Sequence, residues 1–100
     1  MEQSSIRTYR LRGSRITGPQ QSALDKYWAA YGIEYSTEFL NITSLFPTAE
    51  EVVLEIGFGM GEATAHIAKV RPDDNFLCCE VHEAGVGALL KRIGEQDIHN

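Results

Sequence analysis

The stretch VVLEIGFGMGEA, residues 52–63, decides how this chain folds. Residues 52–56 are short, apolar and rich in β-branched side chains, as a strand buried in a parallel sheet requires. Gly57, Gly59 and Gly61 then strip the side chain from every second position. Glycine adopts positive φ without penalty and lets a ligand approach the main chain. A helical pattern follows at once, with Ala63, Ile67 and Val70 expected on the buried face and Pro72 beyond its end. The unit is strand, glycine turn, helix.

The same pattern repeats downstream. Residues 75–81, NFLCCEV, have the length and composition of a second strand, and residues 84–95 of a second helix with Val86, Leu89, Leu90 and Ile93 as its apolar stripe. Gly85 and Gly87 weaken the start of that helix, which points to close backbone packing or to the approach of a ligand there. Alternating strands and helices with short connections predict a parallel α/β sheet. Residues 97–100 are expected to turn toward a third strand. Two strands are few for such a sheet, so the sequence is expected to be the amino-terminal part of a larger α/β domain.

Upstream, Thr17 and Gln20 have capping-box spacing with Pro19 in the first turn. Leu24, Tyr27, Trp28 and Tyr31 recur at helical intervals and are expected to pack against the body, with Gly32 ending the helix. Residues 43–47 are expected to form one further short turn before Pro47. The predicted organisation is therefore an arm at 1–16, a helix and connector at 17–50, and the first part of an α/β ligand-binding domain at 51–100.

Composition narrows the function classes. A hydrophobic content of 43% with 23% charged residues is that of an ordinary globular chain. No apolar run is long enough to cross a bilayer, and MEQSSIRTYR lacks a signal-peptide core, so a cytoplasmic protein without a membrane role is expected. Cys78 and Cys79 are adjacent, point to opposite faces of a strand, and are too few for a zinc site or a disulfide scaffold. They are expected to be small buried residues, and no metal is expected. Net charge is −5, but four arginines against Glu2 give the first twenty residues +3 and leave −8 for the rest. A basic arm on an acidic body predicts an anionic partner met by the arm.

The carboxylates narrow the ligand. A dinucleotide fingerprint places glycines at offsets 0, 2 and 5, whereas here they fall at 0, 2 and 4 and Glu62 occupies the fifth. A carboxylate there repels a pyrophosphate at the helix amino terminus. Glu55 sits at the end of the first strand, where a cationic ligand group would offset the cost of burying it. Glu80 follows Gly57 by twenty-three residues, the place of a ribose-binding acid at the tip of the second strand, its two oxygens accepting from the sugar hydroxyls. A ribose, a positive centre and no phosphate together describe S-adenosylmethionine. On these residues alone a nucleotide-dependent oxidoreductase and a non-catalytic nucleic-acid- or protein-binding module stay open beside a methyltransferase.

EIGFGMGE at 55–62 and EVHEAGVGALL at 80–90 resemble the bacterial tRNA (guanine-7) methyltransferases, class I enzymes with a Rossmann-like fold, and the likeness runs from about Arg12 to Asn100. The resemblance implies methyl transfer from S-adenosylmethionine to nitrogen 7 of a guanine in tRNA. It implies that Glu55, Gly57, Gly59, Gly61, Glu80, Val81 and His82 border the cofactor. LRGSRITGPQQ resembles the family's arginine-rich run with its glycine displaced by one position, which makes Arg12 and Arg15 candidate contacts to tRNA phosphates. The family's Asp-Pro-Trp segment on the acceptor side lies beyond the positions matched here. No catalytic residue is therefore assigned, and the hundred residues alone are expected to be inactive.

Overall fold

A computed structural model describes residues 15–100. The expected arm and Arg12 fall outside these residues, apart from the arm's last two positions, Arg15 and Ile16. The described elements are α1 (Gly18–Tyr31), α2 (Ile42–Leu45), β1 (Val52–Ile56), α3 (Glu62–Val70), β2 (Asn75–Cys79) and α4 (Glu83–Gln96). They form a small α/β structure around a two-stranded parallel sheet.

α1 begins where the capping box places it. The Thr17 hydroxyl accepts from the Gln20 amide at 3.3 Å, and the Gln20 side chain accepts from the Thr17 amide at 2.9 Å. These two bonds satisfy two of the donors that a helix start leaves without partners. The helix ends at Gly32, which is extended rather than left-handed. Glycine is required there for a different reason: the Trp28 indole lies against its α-carbon and leaves no room for a side chain. α1 packs along α4, with Ala23 its most buried residue. The approach is close because Gly87 meets the backbone of Gln20 and Gly94 meets the Tyr27 ring. The aromatic stripe is only partly covered, and Tyr31 is still exposed while its hydroxyl donates to the Ile98 carbonyl at 3.3 Å.

β1 and β2 pair with Val52 opposite Asn75 and Ile56 opposite Cys79. Residues in register share a face, so Val53, Glu55, Phe76 and Cys78 lie on one side of the sheet. The core sits on that side, where Phe76, Leu89 and Ile93 pack around Ala65, Ala68 and Ile98. On the opposite side Val52, Leu54 and Ile56 are exposed. β1, which has the composition of a strand buried in a parallel sheet, has one neighbour among the described residues.

Three expectations are corrected. The buried face of α3 is Thr64, Ala65 and Ala68, while Ala63, Ile67 and Val70 point outward. The small side chains let α3 sit close against Phe76 and Ile98, which larger residues would prevent. Cys79 is exposed and Cys78 only half-buried, because Cys79 belongs to the uncovered face. β2 stops at Cys79, two residues early, where the chain turns to place the Glu80 carboxylate. Beyond α4, Asp97 takes a left-handed conformation and the chain swings back, so that the Asn100 carbonyl accepts from the Phe76 amide at 2.9 Å on the outer edge of β2.

Candidate functional site

The site is built where both strands end. After Ile56 the chain turns through Gly57, Gly59 and Gly61, all at positive φ (78°, 66° and 81°). A side chain at any of them would be strained. Their surroundings separate them, however. A β-carbon would meet nothing within 4 Å at Gly57 or Gly59, whereas at Gly61 it would press on Leu89. Two of the three glycines therefore keep an open face, and the third is buried as the cap of α3.

The turn is tied at several points. The Gly57 amide donates to the Cys79 carbonyl at 2.7 Å, which extends the sheet by one bond beyond Ile56. The Gly59 amide donates to Glu80 Oε1 at 2.7 Å. On the far side Arg92 Nε donates to the Met60 carbonyl at 3.1 Å. Gly85, in the first turn of α4, lies directly beneath the Gly59 carbonyl and leaves no space for a methyl group. The close packing expected at Gly85 and Gly87 is thus present, at two different partners.

Glu80 is the most elaborately held side chain of the site. Only 7% of it is exposed. Its Oε1 accepts from Gly59, and its Oε2 accepts from the Val81 amide at 3.0 Å and the His82 amide at 3.2 Å. His82 Nδ1 lies 3.2 Å from the same oxygen. Burial pushes the Glu80 pKa up, but the amides of Gly59, His82 and Val81 and the neighbouring His82 outweigh it and bring the pKa below the ordinary value. Charged carboxylates that accept several amide bonds behave this way. The arrangement also limits what Glu80 can still do. A carboxylate has about four acceptor positions, three are taken, and the one left is on Oε1. Two free oxygens were expected from the sequence.

Glu55 stands in register with Cys78 on the covered face of the sheet. Its Oε1 accepts from the Thr64 hydroxyl at 2.5 Å. Oε2 has no hydrogen-bond partner among the described residues. Beside it, burial, Glu55 and Cys79 push the Cys78 thiol up to about 11.

Of the residues named from sequence, the structure gathers Glu55, Gly57, Gly59, Gly61, Glu80, Val81 and His82 around one turn. Val81 and His82 enter it through their amides. Arg15 is exposed and remote in sequence from this turn. Thr64, Arg92 and the Cys79 carbonyl were not anticipated. Thr64 alone had a usable signal, since it occupies the third position of a helix whose cap is a glycine without a side chain to offer. No group of three or more metal-ligating side chains occurs among the described residues.

A family model described as a putative methyltransferase matches residues 49–100, which include both strands and the whole turn. Among curated proteins, the tRNA (guanine-N(7)-)-methyltransferase of Acidovorax sp. strain JS42 is 61% identical over 95 residues, covering 95% of this chain and 38% of that protein. Its counterpart in Paracidovorax citrulli is 53% identical over 96 residues, covering 96% and 39%. In Cronobacter sakazakii the identity is 46% over 95 residues, covering 95% and 40%. The chain thus spans about two fifths of the length of the relatives it matches.

Proposed function

The chain belongs to the putative methyltransferase family matched over residues 49–100, and from that premise we propose that it forms the cofactor-holding part of a tRNA (guanine-N7) methyltransferase with a Rossmann-like fold. The observation that carries the proposal is Glu80, a buried carboxylate held by three main-chain amides beside a glycine turn open at Gly57 and Gly59.

These residues fit S-adenosylmethionine. The open faces of Gly57 and Gly59 let the main chain meet the ligand without a side chain between them. The remaining acceptor position of Glu80 receives a ribose hydroxyl, and the free oxygen of Glu55 faces the amino-acid end with its positive charge. Val81 and His82 border the site by fixing Glu80. The turn suits a pyrophosphate poorly, because Glu62 is the first residue of α3 and repels an anion at that helix start. The oxidoreductase alternative is disfavoured on that ground.

When bound, the sulfonium cofactor supplies an already activated methyl group. The acceptor, nitrogen 7 of guanine, carries a lone pair and no proton, so no general base is needed to deprotonate it. The task of this part of the protein is orientation: it holds the donor in one place and one pose, which is where much of the rate gain of such a transfer arises. Arg12 and Arg15 are assigned to the phosphates of tRNA, and the enzyme would act in the cytoplasm.

The test uses the full polypeptide that carries these residues. Calorimetry is expected to show one S-adenosylmethionine site, and incubation with tRNA and cofactor to give 7-methylguanosine in the nuclease digest. Tight binding of NAD with no binding of S-adenosylmethionine would overturn the proposal.

A further inference from the structure

Thr64 is 4% exposed, yet its hydroxyl is directed at the one side chain of β1 that carries charge, 2.5 Å from Glu55 Oε1. A carboxylate only accepts, so the hydroxyl donates. The bond joins the end of the strand to the first turn of α3 and spans the glycine turn between them. It engages Oε1 and leaves Oε2 without a hydrogen-bond partner among the described residues. A glutamate at a strand end has three rotatable bonds, and holding it in one pose before a ligand arrives removes part of the entropy cost of binding. The glycine cap of α3 supplies no side chain, and no other side chain among the described residues bonds Glu55.

Resting on the cofactor placement proposed above, we infer that Thr64 is a positioning residue: it aims the free oxygen of Glu55 at the ammonium group of S-adenosylmethionine. It touches no part of the ligand itself. Its effect is confined to the amino-acid end, so a nucleoside without that end binds independently of it.

The experiment compares Thr64→Val, which keeps the shape and removes the donor, with Thr64→Ser, which keeps the donor, in the full polypeptide. Two probes are titrated, S-adenosylmethionine and 5′-methylthioadenosine, the thioether nucleoside that lacks the amino-acid portion. Thr64→Val is expected to weaken S-adenosylmethionine about tenfold, the worth of one hydrogen bond to a charged group. It should leave 5′-methylthioadenosine within about twofold, and Thr64→Ser should bind both probes about as the unsubstituted protein does. In a Glu55→Ala background, Thr64→Val should add nothing, since the two residues act as one unit. Equal weakening of both probes by Thr64→Val, unchanged S-adenosylmethionine affinity, or full additivity with Glu55→Ala would each overturn the assignment. These outcomes leave the cofactor site standing. Failure of the unsubstituted protein to bind S-adenosylmethionine would instead remove the site, and the role of Thr64 with it.

Discussion

Gly85 carries the Gly59 carbonyl directly on its α-carbon, so that the start of α4 is the floor under the middle of the glycine turn. Backbone meets backbone, and neither side can yield by rotating a side chain. Gly85→Ala is therefore expected to lift the turn and to cost about 1–3 kcal/mol, the range for overpacking a closed site. Chemical denaturation measures the loss. Cofactor affinity should fall further than for Gly18→Ala, whose added methyl meets nothing within 4 Å.

Glu80 makes stability depend on acid. Burial raises its pKa, but the amides of Gly59, His82 and Val81 and the nearby His82 pull it below 4.5 in the folded protein. The folded form thus holds the ionised carboxylate more tightly than the unfolded form does. Its stabilisation is fully present above about 4.5 and is lost as pH falls through the lower folded value. Glu80→Gln, which presents an amide N–H to a main-chain donor, should cost about 1–3 kcal/mol at pH 7. Melting curves of the two proteins should converge as pH is lowered well below 4.5.

The adjacent thiols should differ in reactivity. Cys79 is exposed, whereas burial, with Glu55 and Cys79 beside it, pushes the Cys78 thiol up to about 11. The thiolate is the nucleophile, so at pH 8 iodoacetamide should modify Cys79 first and leave Cys78 largely intact. Peptide mass spectrometry reads the order. Equal modification in the folded protein would show that the register of β2 is wrong.

The order of elements was written plainly in the sequence, and so was the glycine turn, because periodicity and glycine spacing act over a few neighbouring residues. The capping box of Thr17 and Gln20 is of this kind, and both of its bonds are present. Facing was harder to read. Ile67 and Val70 looked like the buried stripe of α3 on hydrophobicity, but Ala65 and Ala68 take the core because only small residues let the helix approach Phe76. Cys79 looked buried because a parallel strand is usually covered on both sides, and here its side of the sheet is open. At the site, the acids and glycines were legible by type and spacing. The Thr64 hydroxyl was harder to read: its place in the first turn behind a glycine cap hints at a bond, but its partner is nine positions away.

The arginines assigned to tRNA should reveal themselves through salt. Every phosphate that a protein ceases to neutralise flattens the slope of log K against log salt by about 0.7–0.9. Arg12→Ala and Arg15→Ala should each flatten it by about that amount in the full polypeptide. Filter binding of tRNA at several salt concentrations measures it. Cofactor affinity should not change, because Arg15 lies well outside the turn in sequence and on the surface.

The three hydrogen-bond donors to Glu80 among the described residues are peptide groups, at positions 59, 81 and 82. A peptide N–H survives every replacement except proline. Over evolutionary time, then, Val81 is at liberty to drift in kind while still gripping the acid, and the burden of invariance falls on two codons, that of Glu80 for its oxygens and that of Gly59 for its positive φ.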